Sequence, residues 1–177
     1  LCKLKTKVGN SSDKKKKMCV RFALNRALEQ LRANIRARGV QTNGHNFQPS
    51  NNIAPTNPAP VVAQNTIQVY TFGIRSESKG NIICNARSET VAKVFSCDIN
   101  ARRCVIPADG YFEYDASKQP FFFHRKDDEL LFLAGFFTKK GEFVILTRDA
   151  SPKAKKIHER MPVIFTEKEV EQWESPK

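Results

Sequence analysis

Residues 103–147 decide the fold: RCVIPADGYFEYDASKQPFFFHRKDDELLFLAGFFTKKGEFVILT. The stretch is rich in β-branched and aromatic residues, which favour strands. It contains five such runs, at 103–107, 110–115, 120–125, 130–137 and 142–147. Turn residues separate them at Ala108–Asp109, Lys126–Glu129 and Lys139–Gly141, and the last two are typical of hairpin loops. Closely spaced hairpins predict an antiparallel sheet that curls toward a barrel.

The segment before this stretch adds a helix, a long connection and a strand. Apolar residues at Leu24, Leu28, Leu31 and Ile35 form one stripe, which predicts an amphipathic helix over 22–38 that stops at Gly39. Residues 41–66 contain no charged residue but six Asn, three Gln and four Pro, which predicts a long irregular connection. Alternation over 67–74 predicts a strand.

Three short helices are expected to interrupt the strands. One covers 88–95, and a second begins at Ser151–Pro152, an N-cap followed by the proline that is tolerated at the first helical position. The third begins at Thr166, which forms a capping box with Glu169. The predicted fold class is therefore α+β, mainly antiparallel β, with a curled, barrel-like sheet and a few short helices.

The charge of the chain is strongly positive and uneven. Its 177 residues suffice for one globular domain. Thirty Lys and Arg against 18 Asp and Glu give +12, and residues 1–17, with seven Lys and one Asp, carry +6 of it. We interpret 1–17 as a disordered basic leader that the mature protein need not retain, either merely solvated or a nuclear-import or DNA-contacting arm. The excess of positive charge favours phosphate polymers or acidic surfaces as partners.

The cysteines and the apolar runs argue against three kinds of protein: disulfide-bonded, zinc-binding and membrane-spanning. Five cysteines, an odd number with no C-x-x-C pair, support neither a disulfide framework nor a zinc site, so we expect free thiols in a reducing, intracellular compartment. The longest charge-free apolar run, Leu130–Phe137, is too short to span a bilayer, so no membrane partner is expected. No metal or other cofactor is predicted.

Five short segments in register carry the functional signal. The chain has no P-loop, G-x-G-x-x-G, H-E-x-x-H or G-x-S-x-G pattern. It does contain, in this order, MCVRF (18–22), SNNIAPT (50–56), NARSET (85–90), RRCVIPADGYFEY (102–114) and IHERMPVI (157–164). Together these segments resemble the SRAP family (SOS-response-associated peptidase domain) from Met18 to about Trp173. The resemblance implies an SRAP domain over 18–177 that stops before the family's usual final strands.

The resemblance implies that the protein shields abasic sites in single-stranded DNA by a covalent crosslink through an N-terminal cysteine, which would be Cys19 after removal of Met18. An abasic site opens to an aldehyde at C1′. The α-amine of Cys19 would form an imine with it, and the thiolate would then close a thiazolidine. An α-amine suits this step because its pKa of about 7.7–8.0 leaves part of it neutral at neutral pH.

Three further residues receive catalytic roles from the family match. Glu113 would transfer protons beside the amine. His158 would protonate the opening sugar oxygen or stabilise the open form. Asn85 would orient the sugar and the nucleophile through its amide. Taken without the family, Cys19 fits a small buried residue, Glu113 an exposed strand residue and His158 a capped or surface histidine, and these interpretations stay open.

The remaining candidates would bind DNA or shape the pocket. Arg21 and Arg87 are expected to clamp phosphates. Arg160 could be a third clamp or the ion-pair partner of Glu159 or another carboxylate. Phe72 lies near a family tryptophan and could stack on a base. The expected pocket-shaping residues in the irregular segment are Asn52 and Pro55.

Alternatives from other classes remain beside the crosslinking prediction. The chain could be a catalytically inactive single-stranded-DNA-binding module, or a thiol peptidase that uses Cys19 and His158, in the simplest case only on its own leader. A degenerate domain without activity is the fourth interpretation. We expect a monomer, in the nucleus of a eukaryote or in the cytoplasm and nucleoid of a bacterium.

Overall fold

The computed structural model of the protein describes residues 21–77, 80–95 and 102–174. Met18, Cys19 and the expected leader 1–17 lie outside these ranges. In chain order the elements are β1 (Arg21–Leu24), α1 (Leu28–Ile35), β2 (Val40–Gln41), β3 (Ser50–Ile53), β4 (Pro58–Ala63), β5 (Thr66–Phe72), β6 (Ile74–Arg75), β7 (Ile82–Ile83), β8 (Asn85–Arg87), α2 (Val91–Val94), β9 (Arg103–Ala108), β10 (Gly110–Tyr114), β11 (Pro120–His124), β12 (Leu131–Phe137), β13 (Glu142–Asp149), a 3-10 turn (Ala154–Lys156), β14 (Arg160–Pro162), β15 (Ile164–Phe165) and α3 (Glu167–Glu174).

A small antiparallel sheet has the strand order β11-β10-β1-β3. In it, β1 pairs with β10 in the register Arg21 opposite Phe112 and Phe22 opposite Tyr111. The next hairpin pairs β10 with β11, with Phe112 opposite Phe122. Because side chains alternate across a strand, Arg21, Phe112 and Phe122 share one face and Phe22 and Tyr111 the other.

The larger sheet has the path β14-β13-β12-β9-β4-β5-β2, with β15 beside β12 and β8 beside β13. A short parallel pairing of β13 with β5 brings distant parts of this path together, at Glu142 opposite Thr71 and Phe143 opposite Phe72. The sheet is therefore ring-like without forming a closed barrel. This agrees with the predicted fold class, in which strands dominate and the helices are short.

Apolar side chains fill the space between the two sheets. The main cluster combines Phe22 and Leu24 of β1 with residues of β4, β5, β9 and β13, and most of these side chains are fully buried. Leu31 of α1 joins the same cluster. Burial of a side chain of this size stabilises a fold by about 1.5–3 kcal/mol. The core therefore fixes how β1 sits against the larger sheet.

Several elements confirm the sequence predictions. The Lys139–Gly141 loop does join a hairpin, because β12 pairs with β13. Thr166 caps α3, since Glu169 N–H donates to its Oγ1 at 3.4 Å and the Glu169 carboxylate accepts from Thr166 N–H at 2.7 Å. The other two predicted helices are shorter than expected. The one expected over 88–95 covers only Val91–Val94 as α2, and the one expected from Ser151–Pro152 is a 3-10 turn over Ala154–Lys156.

Other elements correct them. The helix expected over 22–38 begins only at Leu28, because Arg21–Leu24 pairs as β1 between β10 and β3. The connection over 41–66 is not irregular throughout, since it contains β3 and β4. Lys126–Glu129 is not a hairpin loop, because β11 pairs with β10 and β12 pairs with β9. At Ala108–Asp109 the chain likewise passes from one sheet to the other.

Among the described residues, no helix combines the length and apolar character needed to cross a membrane.

Candidate functional site

Glu113 lies in β10 beside the beginning of β1. The register puts Arg21 opposite Phe112, so Glu113 is one position beyond the last residue that pairs with described β1. Its side chain is 2% exposed, and its Oε1 accepts a hydrogen bond from the Tyr114 N–H at 3.2 Å. Tyr111, two residues earlier in β10, is buried on the same face. Glutamate is rarely buried to this degree unless it is paired, so the open interpretation as an exposed strand residue is wrong.

Asn85 and Arg87 lie on β8, which runs parallel to β13. Asn85 is opposite Ile145, and Arg87 is opposite Thr147. Ala86 between them is buried, and the Thr147 hydroxyl donates to its carbonyl at 3.3 Å. Because alternate strand residues share a face, the amide of Asn85 and the guanidinium of Arg87 lie on one side of β8. Asn85 is half-buried, whereas Arg87 is exposed.

His158 is half-buried just before β14. Its Nδ1 lies 3.1 Å from the Arg160 backbone N–H, which donates to it, and 3.3 Å from the Arg160 carbonyl. Nδ1 cannot accept and donate at once. The shorter contact favours the neutral tautomer with its proton on Nε2. The backbone at Arg160 thus orients the imidazole.

The side chain of Arg160 forms ion pairs, which is one of the two interpretations that the sequence left open. It is 9% exposed, and it donates to both carboxylate oxygens of Glu89 at 2.8 and 2.9 Å. It also donates to Asp149 at 2.5 Å and to the Thr147 carbonyl at 2.8 Å. The hydrogen bonds from Arg160 lower the pKa of Glu89 from about 4.5 to about 2. The carboxylates that Arg160 contacts are therefore Glu89 and Asp149, and its contact with phosphate stays a prediction.

Arg21 is held by the neighbouring strand. Its guanidinium donates to the Asn52 side-chain oxygen at 2.7 Å, and β1 pairs with β3 through Phe22 opposite Ile53. Asn52 is exposed, and Pro55 is half-buried in the turn that follows β3. The pocket-shaping role expected of Asn52 and Pro55 stays a prediction, and the contact seen for Asn52 positions Arg21.

Phe72 is a core residue, which corrects its predicted contact with DNA. It is 0% exposed, and it lies between Phe22, edge-on at 5.4 Å between ring centroids, and Phe143, stacked at 5.2 Å. A ring covered on both sides offers no face to a base.

The candidates fall into two groups that the core connects. Glu113, Arg21 and Asn52 lie near the beginning of β1. Asn85 and Arg87 lie on β8 beside β13, and His158 lies just before β14, which also pairs with β13. The rings of Phe22, Phe72 and Phe143 connect the two groups. Cys19 lies outside the described residues. Among those residues, no cluster of three or more His, Cys, Asp or Glu side chains could hold a metal ion.

Sequence reasoning missed Glu89 and Asp149, which bind the guanidinium of Arg160. Glu89 belongs to the quoted NARSET segment, two residues after Arg87, so its motif was a usable signal. Asp149 ends β13 and carries no pattern of its own. Only the pairing of Asp149 with Arg160 across β13 and β14 reveals it.

Comparisons with known proteins agree with the motifs. A family model described as SOS response associated peptidase (SRAP) matches residues 18–177. The abasic site processing protein YobE of Bacillus subtilis is 29% identical over 154 residues, which cover 74% of this chain and 70% of the relative. The abasic site processing protein YoaM of the same organism is 27% identical over 183 residues, which cover 90% and 80%. A crystal structure of a protein from Bacteroides thetaiotaomicron, 24% identical, shares the fold with a TM-score of 0.70 over 89% of this chain and 82% of that one.

Proposed function

The chain belongs to the SOS response associated peptidase family, and from that premise we propose that it processes abasic sites in single-stranded DNA by forming a covalent crosslink through Cys19. The names of the relatives YobE and YoaM support the substrate class. The observation that carries the proposal is the buried carboxylate of Glu113 beside the beginning of β1. This carboxylate is an acid–base group, and it lies beside the first described residues after Cys19.

The reaction needs a free α-amine at Cys19. The amine attacks the C1′ aldehyde of the opened sugar, and loss of water gives an imine. The thiolate then adds to the imine carbon, and the nitrogen takes up a proton, which closes a thiazolidine ring. Translation from Met18 followed by removal of Met18 would expose this amine, and so would cleavage of the chain before Cys19.

Chain connectivity supports Glu113 as the proton-transfer group. Cys19 precedes Arg21 by two residues, a distance of about 7 Å at most along the chain. Arg21 pairs with Phe112, the neighbour of Glu113. Imine formation needs a proton to leave the amine and another to reach the departing water. A positioned carboxylate that performs such transfers contributes about 10²- to 10⁴-fold to a rate.

His158 and Asn85 would act on the sugar. The bond from Arg160 N–H to His158 Nδ1 leaves the Nε2–H group to donate a hydrogen bond to the ring oxygen of the deoxyribose, which would stabilise the opened form of the sugar. The amide of Asn85 can donate to one group and accept from another, which suits a residue that orients both the sugar and the nucleophile.

Two arginines would hold the phosphates on either side of the lesion. Arg87 is exposed on β8, and Arg21, fixed by Asn52, lies two residues after Cys19. A guanidinium binds phosphate oxygens through paired N–H groups. The net charge of +12 adds a sequence-independent attraction for DNA.

The test compares two forms of the protein, one that begins at Cys19 and one that retains residues 1–18. Each is incubated with an oligonucleotide carrying one abasic site, and intact mass spectrometry identifies both the protein N-terminus and any adduct. We expect a heat-stable adduct with the first form and none with its Cys19→Ser variant. No adduct from a protein verified to begin at Cys19 would refute the proposal.

A second candidate function applies if Cys19 is internal in the mature chain. Cys19 would then carry an amide nitrogen and could not form an imine. The protein would then bind single-stranded DNA without crosslinking. The form that retains residues 1–18 tests this directly. Binding without an adduct supports it, whereas release of residues 1–18 during incubation indicates self-cleavage before Cys19.

A further inference from the structure

The small sheet carries a row of aromatic rings on its outer face. Phe112 of β10 and Phe122 of β11 lie opposite each other, with ring centroids 4.8 Å apart. His124 follows two residues later on the same face, and its ring stacks on Phe122 at 5.5 Å with an interplanar angle of 17°. We name these three side chains the aromatic row. They belong to none of the catalytic roles above.

The aromatic row faces solvent. Phe122 is 43% exposed, and the side chain of His124 is 48% exposed, whereas most large apolar side chains of the described residues are buried. Gly110 explains how the Phe122 ring lies on the sheet. A Cβ at Gly110 would stand 2.4 Å from Phe122 Cζ, so the ring occupies the space that any other residue would fill.

The aromatic row begins beside Arg21. The register puts Arg21 directly opposite Phe112 on the same face, so the order across the sheet is Arg21, Phe112, Phe122. Acidic residues also lie nearby, in the turn after β11. Asp127 is bound to Arg125 at 2.6 and 2.8 Å, and Asp128 lies 3.4 Å from His124 Nδ1. The first carboxylate is therefore neutralised within the turn, and Lys118 and Lys126 add positive charge to the two ends of β11.

We propose that Phe112, Phe122 and His124 form a stacking surface for the bases of single-stranded DNA next to the lesion. This inference rests on the proposed function, since it extends the DNA path from the phosphate clamp Arg21 across the small sheet. Every base has a π face, so such a surface binds without sequence preference. It also supplies the base contact that Phe72, enclosed in the core, does not offer.

The experiment uses the protein that begins at residue 19 with Cys19→Ser, so that binding is reversible. Fluorescence anisotropy measures its Kd for a thymine oligonucleotide of about ten nucleotides, a length within the usual site size. A second oligonucleotide of equal length carries tetrahydrofuran in place of every base and keeps all phosphates. Phe122→Leu and the double variant Phe112→Leu, Phe122→Leu are compared with the parent protein.

Stacking predicts that Phe122→Leu weakens binding of the thymine oligonucleotide by about 5- to 100-fold, and the double variant by more. Binding of the baseless oligonucleotide should not change. The slope of log K against log salt should also stay the same, because no phosphate contact is removed. An unchanged Kd for thymine, or an equal loss on both oligonucleotides, overturns the proposal.

The matched control is Phe137→Leu, which changes another half-exposed ring, packed against Tyr70 at 5.2 Å on the larger sheet. Its thymine affinity should equal that of the parent. Thermal melting confirms that each variant is folded, and Phe122→Leu alone, at an exposed position, keeps the test valid if the double variant is unstable. Adduct formation at saturating abasic DNA, measured with Cys19 intact, reports on the proposed function separately.

Discussion

At the scale of single residues, Arg160 shows how a buried charge organises this domain. Its guanidinium binds Glu89 through two oxygens, while its backbone N–H orients His158. The side chain and the backbone of one residue thus connect an ion pair to a candidate catalytic imidazole. A buried arginine that loses its partner is costly, because its charge is then left uncompensated.

The pair of Glu89 with Arg160 makes a prediction about pH. The folded-state pKa of Glu89, about 2, lies below its ordinary value near 4.5, so the pair stabilises the fold above the ordinary value and loses this effect as the pH falls toward 2. We expect Glu89→Gln to lower the free energy of unfolding near neutral pH by about 1 kcal/mol, a modest value because Glu89 is half-exposed. Urea unfolding at several pH values should show the difference between the two proteins shrinking as the pH falls below 4.5. A difference that does not depend on pH would contradict the assignment.

Glu113 makes a prediction about rate. Glu113→Gln keeps the shape of the side chain but cannot exchange a proton, so single-turnover adduct formation should slow by about 10²- to 10⁴-fold. Binding of undamaged single-stranded DNA should stay as it is, because the group transfers protons and holds no phosphate. Asp115→Asn, a change of the same kind in the turn after β10, is the control and should react at the parent rate. Full activity in Glu113→Gln would remove the residue from the mechanism.

At the scale of elements, the sequence predicted strands and helices better than it predicted their neighbours. The runs in 103–147 are strands, yet only two of the joins between them are hairpins, at 115–119 and 138–141. The other two joins, at 108–109 and 126–129, carry the chain from one sheet to the other. Their turn residues resemble those of the hairpin loops, so the sequence does not distinguish the two kinds of join. Leu24 fits the helical spacing of the apolar residues in α1, which predicted that it is helical. It lies in a strand instead, because β1 pairs with β3.

The sequence predicted the placement of polar motif residues better than the placement of aromatic ones. The NAR segment does put an amide and a guanidinium on one face of β8. Phe72, chosen because its position matches an aromatic residue of the family, turned out to be enclosed by the core. Nothing local in the sequence distinguishes a ring that packs between sheets from a ring that meets a base.

The hairpin of β10 and β11 provides a prediction at this scale. Gly110→Ala would bring a Cβ to 2.6 Å from the Phe123 carbonyl oxygen and onto the Phe122 ring. Backbone must move to relieve the contact, so we expect a loss of about 1–3 kcal/mol in the free energy of unfolding, measured by urea denaturation. Gly39→Ala is the matched control, because a Cβ there meets nothing within 4 Å. It should be neutral or slightly stabilising. Equal effects at the two positions would argue against the close packing of β11 on Gly110.

At the scale of the whole molecule, a chain of three rings within the core links the small sheet to the larger one. Phe22 belongs to the small sheet, and Phe72 and Phe143 belong to the larger one. The beginning of β1, which would present Cys19, is therefore set against β13, which supports the residues expected to act on the sugar. Phe72 links the two groups of candidate residues without taking part in either.

This arrangement predicts that Phe72 affects stability and not DNA affinity. Phe72→Leu should lower the free energy of unfolding by roughly 1–2 kcal/mol, less than the 3–5 kcal/mol of a full truncation to Ala, because Leu fills part of the space between Phe22 and Phe143. At a temperature where the variant is folded, its Kd for a thymine oligonucleotide should equal that of the parent, whereas Phe122→Leu should show the opposite pattern of weakened binding and little change in stability. Anisotropy and urea unfolding on the same two variants measure both quantities. A Phe72→Leu protein that is stable but binds single-stranded DNA weakly would return Phe72 to the DNA surface and require the core to open on binding.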